Sequence, residues 1–284
     1  MTEVKVENLY YLGPDGSNAQ SAMFKAVDLC KINAVNKIPK KAIKAVLNSV
    51  EQDISSFCVL PIENSIEGIV RETIDNLFKI SDNTIRIQGE ICLTIRHVLL
   101  SKSNDKSKIK KIISHPQALA QCSKYLYKNF PDIEIGDVSS TSYAAQKAAM
   151  SEDGSLAAIA NIACADLFCL NIIDNDLNDE KDNQTRFYIL GRQSLTKKQN
   201  GKTSIILSTK NHSGALCDVL KIFAEYDINL TYIDSRPSKK KLGEYLFFME
   251  FDGLEDEPKN KTALEKLKKY VDFIRNLGSF GVYE

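Results

Sequence analysis

Apolar positions along this chain change period repeatedly, and each change marks an element. From residue 9 to residue 190, β-rich runs alternate with stretches of helical spacing, the usual sign of parallel sheets built from strand–helix–strand units. Strands are predicted at 9–13, 56–62, 109–113, 133–138, 156–160 and 187–190. Helices are predicted at 17–29, 40–50, 68–78, 116–128 and 141–150, the second carrying Ile43, Val46, Leu47 and Val50 on one face. Residues 84–100 alternate through Ile85, Ile87, Ile91, Leu93 and Ile95, which fits extended chain crossing between two lobes. A polar stretch, 195–202, then has the composition of a linker. Beyond it come a strand at 203–208, a helix at 214–226, a strand at 228–235, a hairpin partner at 243–251 reached across 239–241, a helix at 262–274 and a strand at 278–283. That order, βαββαβ, is the ferredoxin-like pattern. The expected division is 1–194, a linker at 195–202, and 203–284.

Composition narrows the partners. With 284 residues the chain exceeds one typical domain. Lys+Arg and Asp+Glu are each 37, so no global field attracts nucleic acid or an anionic membrane, and a small solute is the expected partner. No apolar run approaches the roughly 20 residues of a membrane span, and a cytoplasmic protein is expected. Seven cysteines form no CxxC pair and suit a reducing compartment, while His97, His115 and His212 lack the local spacing of a metal site. Neither metal nor cofactor is expected.

Candidate chemistry gathers where strands end and helices begin. Gly13-Pro14-Asp15-Gly16-Ser17 opens a helix whose free N–H groups could hold an anion, or is a tight turn with a serine cap. Pro61-Ile62-Glu63-Asn64-Ser65 ends a buried strand, the place where α/β crevices put ligands, although an Asx turn explains it structurally. Ser114-His115-Pro116-Gln117 starts a helix on which Gln117 and Gln121 lie one turn apart, and Ser139-Ser140-Thr141 repeats the theme of hydroxyls at a junction. Together the junctions suit a dicarboxylate without concentrating positive charge, and Arg186 would be the one fixed cation, or else an ordinary ion pair at a strand edge.

These blocks, with Asn183-Gln184-Thr185-Arg186-Phe187, resemble the signature blocks of the prephenate dehydratase family, and the resemblance runs over nearly the whole length. It implies an α/β fold: a two-lobed, periplasmic-binding-protein-like catalytic region with the site between the lobes, followed by a ferredoxin-like ACT domain. The implied reaction converts prephenate to phenylpyruvate, carbon dioxide and water in phenylalanine biosynthesis. Thr185 is then the acid or hydrogen-bond donor to the leaving hydroxyl, with Glu63 as a rival acid. Asn64, Ser65, Ser114 and Gln121 orient the substrate; Ser140, Thr141, Arg186, Phe187, Gly16 and Ser17 bind it, with Arg186 on the pyruvyl carboxylate. Gly214, Ala215 and Leu216, Asn229, Leu230 and Thr231, and Asp234, Ser235, Arg236 and Pro237 match the blocks that sense phenylalanine at an interface between two ACT domains. A homodimer or homotetramer is expected. Two positions depart from the pattern: Asn18 stands where the family has an aromatic residue, and Ser142 where it has alanine. Because no mutase-like helix precedes Tyr10, a monofunctional enzyme is expected. An arogenate dehydratase and a non-catalytic amino-acid-responsive binding protein remain as alternatives.

Overall fold

The computed structural model describes residues 3–80, 84–195, 201–238 and 244–283. Its first lobe comprises β1 (Val4–Leu12), α1 (Asn18–Cys30), β2 (Ile32–Lys40), α2 (Ile43–Gln52), β3 (Ser56–Asn64), β4 (Gly68–Ile69), α3 (Arg71–Leu77) and β5 (Arg86–Thr94). The chain crosses at residues 95 and 96 into a second lobe of β6 (His97–Ser101), β7 (Lys111–Ser114), α4 (Pro116–Ala120), α5 (Ser123–Asn129), β8 (Glu134–Asp137), α6 (Thr141–Ala149), β9 (Leu156–Asn161), α7 (Ala163–Phe168) and β10 (Asn171–Asp174). It then returns as β11 (Gln184–Gly191), which inserts antiparallel between β3 and β5. The small domain is β12 (Gly201–Thr209), α8 (Ala215–Glu225), β13 (Leu230–Pro237), β14 (Tyr245–Asp252), α9 (Pro258–Leu267) and β15 (Val271–Tyr283), the expected βαββαβ order.

Each lobe buries a sheet between helices. Met23, Ala26 and Tyr11 pack with Phe187 and Ile189 on one side of the first sheet, while Val46, Leu47 and Ile74 pack with Leu60 and Tyr188 on the other. The second sheet runs β10-β6-β9-β7-β8, and its two faces carry separate clusters. β15 extends beyond the small domain and pairs parallel with β5, Gly281 opposite Gly89, so one sheet runs through both. Ile206, Phe248 and Phe280 of the small domain therefore share a core with Leu60 and Tyr188 of the first lobe.

Where the elements differ from expectation, a physical cause is visible. β2 has no clear apolar signal because it is an edge strand, mostly polar or exposed and carrying Pro39, the residue type that edges tolerate. The helix predicted over 116–128 breaks at Gln121 and Cys122. Asp179, 55 residues beyond Lys124, accepts from its backbone N–H at 3.1 Å and from the Ser123 hydroxyl at 2.8 Å, so α5 acquires a cap of its own from a distant loop. The helix predicted over 262–274 stops at Leu267, because Leu267, Val271 and Ile274 hold helical spacing while β15 pairs with β12 from Val271 onward. Most of the expected linker, residues 196–200, and the hairpin turn at 239–241 lie outside the described residues, and β12 begins at Gly201.

Candidate active site

Between the lobes lies a cavity of about 330 Å³, a size suited to a small molecule. Ser17 and Asn18, Pro61 and Asn64, His115 and Gln117, and Ser139, Ser140 and Thr141 bring the four junctions to its walls. Ile95, His97, Asn183 and Thr185, where the chain crosses between lobes, complete it. No lysine, arginine, aspartate or glutamate is among its lining residues. Its lining mixes polar and apolar side chains and, among the described residues, carries no fixed charge.

Inside it one hydrogen-bonded chain spans both lobes. Gln121 closes α4, and its Oε1 accepts from Asn183 Nδ2 at 3.0 Å and faces His97 Nε2 at 3.3 Å. Asn183 Oδ1 in turn accepts from Asn64 Nδ2 at 2.7 Å, and the same Nδ2 lies 2.9 Å from Thr185 Oγ1. Asn64 is itself held, because its Oδ1 accepts from the backbone N–H groups of Ile66 and Glu67, each at 3.0 Å. Thr185 Oγ1 is thus an acceptor toward Asn64, and among the described residues its own proton has no protein acceptor. A hydroxyl fixed in this way presents its O–H to the cavity.

His97 anchors the far end of this chain. Burial lowers its pKa below the ordinary imidazole value, with the Gln121 hydrogen bond opposing the shift, so the ring is neutral near pH 7 and its Nε2–H donates to Gln121. The unfolded chain consequently binds more protons as pH falls below about 6.5, and folding stability is expected to drop from there down to the lowered folded value. Denaturant titrations between pH 5 and pH 7 should show a shallower dependence in His97→Gln than in the wild-type protein. Identical slopes would refute the assignment.

The junction side chains also cap the helices that they open. Ser140 caps α6 by accepting from Tyr143 N–H at 3.0 Å, with Thr141 opening the helix. Ser17 caps α1, accepting from Gln20 N–H at 3.2 Å while it donates to the Leu12 carbonyl at 3.1 Å. His115 caps α4 through Nδ1.

The chain is similar to many known proteins. The family profile for prephenate dehydratase matches residues 9–195, and that for the ACT domain matches 203–269. This chain belongs to the prephenate dehydratase family. It is 40% identical over 281 residues to the prephenate dehydratase of Methanocaldococcus jannaschii, covering 96% of this chain and 98% of that one. It is 37% identical over 270 residues to the bifunctional chorismate mutase/prephenate dehydratase of Aquifex aeolicus, covering 95% of this chain and 72% of that protein. The structure of the Arthrobacter aurescens prephenate dehydratase in complex with L-Phe superposes with a TM-score of 0.84 at 29% identity, covering 96% of this chain and 90% of that one.

Against the residues expected from the family blocks, the dehydratase cleft gathers Asn64, Gln121, Ser140, Thr141, Thr185, Phe187 and Ser17. Four others do not line it. Arg186 is the clearest correction: its guanidinium donates to Glu63 at 2.7 Å, to Glu90 at 2.5 Å and to Glu250 at 2.6 Å, on the sheet face opposite Thr185. Burial opposes its charge, but the hydrogen bond to Glu90 and the charges of Glu250 and Glu90 hold its pKa above the ordinary arginine value. An arginine so engaged has little left for a substrate carboxylate, and Glu63, paired with it, is no rival acid. Ser114 is fully buried and donates to the Ile159 carbonyl at 2.6 Å. Ser65 accepts from Gln184 N–H at 3.0 Å and ties the β3 end to β11. Gly16 lies against Cys164 and Ser142, behind the wall.

The two departures from the family pattern lie in and behind that wall, Asn18 lining the cleft and Ser142 packed beside Gly16. Asn18 Oδ1 accepts from Asn161 Nδ2 at 2.7 Å, and the Ser142 hydroxyl donates to the Asp15 carbonyl. Both are contacts between lobes, so these substitutions fasten the cleft instead of emptying it. Asn183 and His97 have no role in the sequence reading. Asn183 heads the last family block and could have been found there, whereas no local pattern marks His97.

In the ACT domain the expected effector residues fall into two groups. Gly214, Ala215 and Leu216 border a cavity of about 780 Å³ that also includes Phe78 and Arg275. Asn229, Leu230, Thr231, Asp234, Ser235, Arg236 and Pro237 lie on or just before β13 and do not line that cavity themselves, although Ser235, Arg236 and Pro237 pair with Phe247, Leu246 and Tyr245, which do. Asn229 donates to Asp252 at 2.8 Å, and Arg236 pairs with Asp75 of α3 at 2.9 Å.

Proposed function

We propose that the chain converts prephenate to phenylpyruvate under feedback control by phenylalanine. The observation that carries this reading is the Thr185 hydroxyl, fixed as an acceptor by Asn64 with its proton facing a cavity free of fixed charge. In the reaction the ring hydroxyl leaves as water, taking one proton, while the C–CO₂⁻ bond breaks and its electron pair enters the ring as the aromatic sextet forms. Carbon dioxide and phenylpyruvate remain. Aromatisation supplies the driving force, so the protein has mainly to position the substrate and donate to the departing oxygen. Thr185 does the latter. A free threonine hydroxyl is a very weak acid, and preorganised donation as negative charge develops on the oxygen suits it better than early proton transfer.

The uncharged wall serves the other half of the reaction. A cation on the ring carboxylate would stabilise the ground state and oppose decarboxylation. Hydroxyls and N–H groups at the start of α6, with Ser140 and Thr141, instead hold the pyruvyl carboxylate, while Asn64, Gln121 and Asn183 fix the reacting edge. Residues 1–194 would form the catalytic unit and 203–284 the effector unit. β13 is the outermost strand of the sheet, with Ile233 44% exposed, and pairing it with β13 of a second copy would bring the two groups of effector residues from different copies together. A homodimer or homotetramer in the cytoplasm is part of this proposal. No helix among the described residues is long and apolar enough to cross a membrane.

Purified protein should form phenylpyruvate from prephenate, and phenylalanine should suppress the rate. Formation of phenylalanine from arogenate, run alongside, separates the two substrates. Absence of turnover with either would remove the enzymatic reading.

A further inference from the structure

Behind the cleft, on the face of the first sheet away from Thr185, five charged side chains from both domains meet. Glu63 of β3, Glu90 of β5 and Arg186 of β11 belong to the first lobe, whereas Lys202 of β12 and Glu250 of β14 belong to the small domain. Glu90 is 3% and Glu250 1% exposed. Arg186 reaches all three carboxylates, and Lys202 lies 3.0 Å from Glu90 and 3.4 Å from Glu250. Glu250 uses its second oxygen to accept from the buried Tyr188 hydroxyl. A cluster of this kind is poor evidence for stability, since desolvation consumes much of the attraction. Its position says more.

In the β3–β11 ladder Thr185 stands opposite Asn64, and the adjoining rung pairs Arg186 with Glu63. Directly behind that rung the register shifts, with Phe187 opposite Pro61, so a bulge separates these two rungs from the regular sheet. Bulges re-aim side chains and loosen pairing locally. Arg186 closes this one from the opposite face, and its Nη2 is shared by two carboxylates, Glu90 of the first lobe and Glu250 of the small domain.

We propose that Arg186 is a positioning residue for the reaction, and that Glu250 of the small domain acts through Arg186 and Glu63 to set where Thr185 and Asn64 stand. The inference rests on the dehydratase reading and adds to it the side chains by which the effector domain touches the chemistry. Arginine suits the task because its planar fork holds several carboxylates in fixed directions, which the single ammonium of lysine cannot do. Small displacements matter here, because an error of about 1 Å in a catalytic group can cost about 10²-fold in rate.

The test uses the full-length chain and prephenate. Glu250→Gln keeps the shape and removes the charge; kcat is expected to fall at least tenfold with KM within twofold, and the melting transition to remain cooperative. Arg186→Lys keeps the charge and loses the fork, and a comparable fall in kcat is expected. In a Thr185→Ala background the Glu250→Gln effect should shrink, because part of it acts through Thr185 and only the part through Asn64 is left. A wild-type kcat in folded Glu250→Gln, or an effect that persists undiminished without Thr185, overturns the proposal. Should Glu250→Gln not fold, Tyr188→Phe decides: it frees one Glu250 oxygen, a threefold fall in kcat at constant KM is expected, and an unchanged kcat overturns the proposal. Wild-type turnover is read separately. Its absence would refute the dehydratase reading, whereas turnover with indifferent variants refutes only the positioning role.

Discussion

Thr185→Ala is expected to lower kcat for prephenate by about 10²- to 10⁴-fold, the usual span for removing a positioned proton donor. Because Thr185 accepts from Asn64 and its proton is unclaimed among the described residues, the hydroxyl makes its main contribution when charge appears on the departing oxygen. KM should therefore change little. Thr185→Ser, which keeps the hydroxyl and loses the methyl group that limits its rotation, should recover part of the rate. Steady-state kinetics on both variants, with thermal melts to establish folding, checks this. An alanine variant that turns over like the wild-type protein would leave the hydroxyl without a role.

Gly278→Ala is expected to destabilise the protein by about 3 kcal/mol or more, through backbone strain and overpacking together. Gly278 has φ +146, and a Cβ there would lie 2.2 Å from the Ile87 carbonyl oxygen, backbone that cannot swing aside. Ile87 belongs to β5, and Gly278 precedes the part of β15 that pairs with that strand. The residue thus allows the small domain's last strand to reach the first lobe's sheet. Gly68 is the comparison: its φ is +78, but a Cβ there would meet nothing within 4 Å, so alanine should cost only about 1 to 2 kcal/mol of backbone strain. Denaturant midpoints for the two variants measure the difference. Equal losses would mean that β15 does not approach β5 so closely.

Much of the cleft is legible in the sequence, because the residues that build it sit at strand-to-helix junctions with polar runs. Asn64, Ser140 and Thr141 stand out in that way, whereas Gln121, at the end of α4, and Thr185, at the start of β11, are marked by the family blocks. Arg186 is misplaced by the family blocks although the means to place it are present: neighbouring residues of a strand point to opposite faces, so Thr185 in the cleft puts Arg186 behind it. What no pattern in the chain supplies is the set of carboxylates waiting there, since Glu63, Glu90 and Glu250 come from three separate strands. Ser114 shows a different failure. A serine at the carboxyl end of a parallel strand resembles a ligand, but a carbonyl 45 residues away claims its proton. His97 escapes notice because its importance lies in depth and in one contact to Gln121, neither of which has a local signature.

A cleft without fixed charge also affects how its ligand arrives. The field of a helix end fades within about one turn, so the lining of the cleft does little by itself to draw an approaching dianion in from the bulk. Capture then depends on ordinary diffusion and correct orientation, and salt, which weakens electrostatic steering, has little to screen. The same property guards the site in a crowded solution. Abundant small anions find no concentrated charge to occupy, and selection falls to shape and to the number of donors a ligand can satisfy at once.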